Sequence, residues 1–149
     1  MELDALFDKH MPLAGDRVYG EDASLVGGVA WISDQRCVFI SGEASPTTPA
    51  GYGKAARMLR LAHRTGASCV LVGSAVRLHM DPPQDTRSVA AFDAYLTALA
   101  SVDGSRIAVT DVAPGEGLAD AFDAVVSQDG APGLEAVRSG LATALSGLV

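Results

Sequence analysis

The chain has 149 residues with 48% apolar side chains, enough for one domain with a real hydrophobic core and too apolar for a disordered chain. A formal net charge of -7 argues against nonspecific nucleic-acid binding and against electrostatic attachment to anionic lipid. The acidic start, with Glu2, Asp4 and Asp8, lacks the pattern of a signal peptide, and no apolar run reaches the length of a membrane span. A cytoplasmic protein organised as a single domain over residues 1–149 is therefore expected.

Residues 1–15 read as a short amphipathic helix, with Leu3, Leu6 and Phe7 apolar and breaks at Pro12 and Gly15. A polar loop follows over 15–22. Leu25 to Ile32 reads as a strand, 33–36 as a turn and Cys37 to Ser41 as a second strand, together a hairpin. Residues 42–49 form a loop rich in Gly, Pro, Ser and Thr. The spacing of Ala55, Met58, Leu59 and Ala62 predicts a helix over Gly51 to Thr65, stopped by Gly66. Ser68 to Gly73 is a continuous β-rich run, the pattern of a buried strand.

Pro82 and Pro83 mark a loop over 77–85. A second helix is expected over Thr86 to Ser101, with Thr86 as N-cap and Val89, Phe92, Leu96 and Leu99 facing inward. Ile107 to Val112 reads as a strand, 114–117 as a tight turn and Leu118 to Val126 as a helix. Residues 129–133 punctuate. A closing helix runs from Leu134 to Leu148, apolar at Leu134, Val137, Leu141, Ala144, Leu145 and Leu148. Strands alternating with helices predict a layered α/β domain.

Cys37 and Cys69 sit inside apolar runs, which predicts buried reduced thiols. No Cys/His cluster has zinc-ligand spacing, so no metal is expected. His10 carries no signal, and His63 lies in a basic helix where solvation explains it. Ser41 and Ser45 have no evident base beside them, so no nucleophilic triad is proposed.

Three segments carry a family resemblance. Gly15-Asp16-Arg17-Val18-Tyr19-Gly20-Glu21-Asp22 followed by Leu25-Val26-Gly27-Gly28-Val29-Ala30 resembles the Gly-Asp-Arg loop and first strand of the carboxyltransferase alpha subunit of acetyl-CoA carboxylase. Cys37 to Gly42 matches the next strand. Pro49 to Ala62, with Gly51-Tyr52-Gly53-Lys54-Ala55, resembles the family's Pro-x-Gly-Tyr-x-Lys-Ala helix. The likeness is good over residues 15–65 and faint over 66–128, and the malonate decarboxylase gamma subunit is a more distant relative of the same shape.

The resemblance implies a crotonase-like α/β fold of repeated ββα units, here truncated, with a closing C-terminal helix. It further implies fatty acid or polyketide metabolism. The chemistry implied is carboxyl transfer or decarboxylation of an acyl thioester, with two backbone N–H groups forming an oxyanion hole. Carried over by position, one donor loop is Gly73-Ser74-Ala75-Val76-Arg77 and the other Pro114-Gly115-Glu116-Gly117-Leu118. The first lacks the family's Asp-Thr-Pro-Gly. The second keeps only Gly115 and Gly117 of a run of paired glycines, and Asp120 and Phe122 replace small residues. The chain also stops before the strand pair and helices with which the family completes its acyl pocket.

Bland readings stand beside these. Gly73 fits a strand-end turn, and Gly115 and Gly117 fit a strand-to-helix turn that needs glycine. Glu43 and Asp111, at strand ends, and His79, in the following loop, suit proton transfer but also suit solvated loops. Lys54, Arg57, Arg60 and Arg64 form a basic helix and Arg77 a nearby cation. The resemblance directs Lys54, Arg57 and Arg77 to the phosphates of coenzyme A, whereas a solvated helix face explains the helix equally.

The implied ligand is a coenzyme A thioester, with no covalently bound cofactor, and carboxyl transfer would draw on biotin carried by a partner protein. The implied partners are a second copy or another carboxyltransferase-like subunit. The alternative is a non-catalytic, degenerate subunit that docks on a fuller partner. A reused fold with unrelated chemistry, such as a cyclisation, also stays open.

Overall fold

A computed structural model describes residues 6–13, 25–32, 34–42, 49–73, 76, 86–110, 122–127 and 134–145. Six strands, β1 (Lys9–Leu13), β2 (Leu25–Ile32), β3 (Gln35–Gly42), β4 (Ser68–Gly73), β5 (Arg106–Thr110) and β6 (Ala124–Ser127), form one sheet in chain order. β1, β2 and β3 pair antiparallel, while β3, β4, β5 and β6 pair parallel. Three helices accompany the sheet: α1 (Pro49–Thr65), α2 (Thr86–Ala100) and α3 (Leu134–Leu145). The α/β class is as expected. A hairpin followed by a helix occurs once among the described elements, as β2, β3 and α1, because β5 and β6 run parallel.

The hairpin forms where alternation predicts it, with a tighter turn. Ile32 pairs with Gln35, so β3 begins two residues before Cys37. Asp34 takes the left-handed conformation, with φ of 65°, one that Asp tolerates better than most residues. β4 is buried on both faces, as a continuous apolar run should be.

Two cores sandwich the sheet. On one face Val38, Ile40, Cys69, Leu71 and Ala108 pack under α1 and α2. On the other, Cys37, Phe39, Val70, Val72, Ile107 and Val109 meet Leu6, Phe7 and Leu141 of α3. Successive strand residues point to opposite faces, so Cys37 and Cys69, one register step out of line, lie in different cores. Both thiols are free and buried, as expected.

α1 ends in a glycine cap. Gly66 has φ of 68°, its N–H donates to the His63 carbonyl at 3.3 Å, and the Ala67 N–H donates to the Ala62 carbonyl at 3.0 Å. This pair of bonds satisfies carbonyls that the last turn leaves open.

Three expectations need correction. Residues 9–13 form an edge strand, not the second half of a lead helix; only Leu6 has helical conformation among the described residues there. Pro12, read as a helix breaker, is tolerated at a sheet edge because no ladder bond is asked of it. Leu6 and Phe7 are buried against Phe39 rather than along a helix face.

Residues 124–127 form β6, not the end of a helix over 118–126. The valines at 125 and 126 suit a strand, and pairing covers the edge of β5 that would otherwise stay open. Finally, Val89 is 38% exposed, and the inward face of α2 is Ala91, Tyr95, Ala98 and Leu99. Phe92 and Leu96 flank it, partly buried.

Candidate functional site at the carboxyl edge of the parallel strands

The parallel half of the sheet gathers its strand ends at one edge. Gly42 pairs with Gly73, Val72 with Val109, and Thr110 with Ser127. The carboxyl ends of β3, β4, β5 and β6 therefore stand side by side. In open α/β sheets, ligands bind in the crevice outside those ends, where loops are free to vary and the scaffold beneath is rigid. α1 joins parallel strands β3 and β4, so it must start at the carboxyl edge and run back, which puts its first turns on the same side.

Gly73, a predicted site residue, closes β4 with φ of 64°. A side chain there would force Cβ against the next carbonyl oxygen, so glycine is needed for the chain to turn off the sheet. Three residues later, Val76 is buried in the core beneath α1 and α2. The chain thus leaves β4 at a left-handed glycine and is buried again at Val76. Fixed backbone N–H groups are what an oxyanion hole requires.

Lys54 and Arg57 lie on α1, one turn apart. Lys54 is 3% exposed, so the solvated-face reading fails for it. Arg57 is partly buried, and its Nε is shielded from solvent with no acceptor among the described residues. Buried N–H groups are nearly always paired, so a dry guanidinium nitrogen is an unusual feature to find on this helix. Arg60 and Arg64 are exposed and do fit the solvated reading. His63 is half exposed, 3.5 Å from the Asp103 carboxylate.

Ser74, Arg77, His79, Asp111, Gly115, Gly117 and Leu118 lie outside the described residues, as do Glu43 and Ser45. Thr110, the residue before Asp111 in sequence, ends β5 in register with that edge.

Phe122 is buried in the core at the opposite edge. Asp123, next to it, donates its N–H to the Arg106 carbonyl at 2.7 Å at the start of β5. It does not sit at the carboxyl ends of the strands. The missed signal is that β6 replaces a helix, so the next described helix after β5 is α3, beginning at Leu134. Asp129-Gly130-Ala131-Pro132-Gly133, read only as punctuation, is therefore the glycine-rich segment that precedes it.

Neither cysteine is available as a nucleophile. Burial pushes the Cys37 thiol up to about 12, and burial also raises Cys69 to about 12 against the lowering effects of Arg106 and the Ile107 N–H. A thiol held protonated in a dry core is inert. No group of three metal-ligating side chains occurs among the described residues, and none of their helices is long and apolar enough to cross a membrane.

Residues 2–73 match the family described as acetyl co-enzyme A carboxylase carboxyltransferase-like. The acetyl-coenzyme A carboxylase carboxyl transferase alpha subunit of Zymomonas mobilis is 40% identical over 76 residues, covering 43% of this chain and 24% of that protein. The same subunit of Parvibaculum lavamentivorans is 33% identical over 100 residues, 59% of this chain and 31% of its own. The chain thus spans about a quarter to a third of the length of these relatives.

Among solved structures, the Pseudomonas malonate decarboxylase hetero-dimer contains a chain that superposes with a TM-score of 0.65 at 14% identity, over 96% of this chain and 83% of that one. A transcarboxylase 12S subunit, solved with hydrolysed methylmalonyl-coenzyme A bound, gives 0.62 at 14% identity over 84% and 28%. At these identities the likeness is one of fold. The sequence resemblance seen over residues 15–65 is borne out by the family match.

Proposed function

From a chain whose residues 2–73 are carboxyltransferase-like, we propose a protein that acts on an acyl thioester by carboxyl transfer or decarboxylation, at the carboxyl edge of β3 to β6. The observation that carries this reading is the register of that edge, with Gly73 in the left-handed conformation and Val76 anchored below it. In decarboxylation the bond between the carboxylate carbon and the α-carbon breaks and carbon dioxide leaves. The electron pair passes to the thioester oxygen as an enolate, and a proton then returns to the α-carbon. The enolate oxygen is the charge the protein must stabilise, and fixed N–H groups in a dry site do this without reorganising.

N–H groups of Gly73 to Val76 supply one donor in this account. The second comes from Gly115 to Leu118. The alternative source is the glycine-bearing segment 129–133, which in sequence precedes the described helix α3. His79 and Asp111 are the proposed proton carriers, and Lys54, Arg57 and Arg77 the proposed cations for coenzyme A phosphates. The dry Arg57 Nε supports an anionic ligand. Carboxyl transfer, as against decarboxylation, would use biotin carried on another protein.

An assembly is part of the proposal, as a homo-oligomer or with a second carboxyltransferase-like subunit. The fold neighbour from a hetero-dimer supports it, as does Met11, apolar and 48% exposed on edge strand β1. A second reading is a non-catalytic subunit that docks on a fuller partner, which the likeness to a chain of a hetero-dimer also suits.

Isothermal titration with coenzyme A, acetyl-CoA and malonyl-CoA, followed by chromatography of the malonyl-CoA mixture, separates the two. Binding with conversion of malonyl-CoA to acetyl-CoA is expected for the enzyme. Binding without conversion, or neither, assigns the chain to the subunit reading.

A further inference from the structure

We draw no further inference here: the strongest candidate, the partly exposed apolar strip of Met11, Val29 and Trp31 on edge strand β1 and its neighbour β2, carries nothing because nothing in the structure shows what covers it.

Discussion

Two adjacent glycines meet different obstacles. A Cβ on Gly28 would collide with the Met11 carbonyl oxygen of β1, whereas a Cβ on Gly27 would meet the Cγ of Met58 at 2.6 Å. Backbone in a paired strand cannot step aside, while a methionine side chain can rotate. Gly28→Ala is expected to cost roughly 3 kcal/mol and Gly27→Ala about 1 kcal/mol, within the range for overpacking. Urea unfolding checks the order; equal losses would show that β1 does not approach Gly28 so closely.

The buried thiols make a second prediction at this scale. Their ordinary value is 9.0 and burial raises both to about 12. Above pH 9 the unfolded chain loses these protons while the native chain keeps them, so stability falls as pH rises from about 9 to about 12. The loss approaches about 1.4 kcal/mol per pH unit for each thiol. Cys37→Ala/Cys69→Ala should unfold more easily at pH 7 but show a shallower alkaline decline than the parent. An identical slope from pH 8 to 10.5 would contradict the assignment.

At the scale of elements, one side chain ties β6 to β5. Asp123 Oδ2 accepts the Arg106 backbone N–H at 2.8 Å, and its Oδ1 lies 3.6 Å from the Arg106 guanidinium. The carboxylate is half exposed, so the ion pair adds little and the backbone hydrogen bond dominates. Asp123→Ala should cost about 1–2 kcal/mol. Amide exchange should quicken at Val125 and Val126 before it does at Val70 and Leu71. Uniform acceleration through the sheet would show that β6 is held by the whole fold rather than by this contact.

The same elements show what local pattern can and cannot give. The hairpin, α1 and β4 were legible because alternation, helical spacing and a continuous apolar run each persist over a whole element. β6 was not, since four residues are too few to set a period and the partner strand, not the local sequence, decides their conformation. The β1 error has the same cause. Lys9 to Leu13 is extended because it pairs with β2, where Gly28 lets the backbone at Met11 and Pro12 approach closely, a tertiary fact that residues 1–15 do not contain.

For the whole molecule, the parallel register of β3 to β6 sets the carboxyl ends of those strands side by side. Sequence reasoning named Gly73 from the family pattern, and the sheet places it beside Gly42 and in line with Thr110. Of the two readings open for Lys54, the solvated face fails, because a helical wheel in isolation assigns a charged residue to solvent, while burial depends on what packs over it. Sequence reasoning also took Phe122 for a residue near the site. The reversal of β6 from helix to strand moves that ring to the opposite edge.

Gly73→Ala is expected to strain the left-handed turn by about 1–2 kcal/mol and to weaken thioester binding at least tenfold. Undiminished binding would remove this turn from the site.

The most direct test of a thioester site at the carboxyl edge is a nuclear magnetic resonance titration of the labelled chain with acetyl-CoA. Amide shift changes are expected to concentrate at Gly42, Gly73, Thr110 and Ser127, with the opposite edge, Ser68, Arg106 and Asp123, unmoved. Changes centred on that opposite edge, or none at all at saturating ligand, would contradict it.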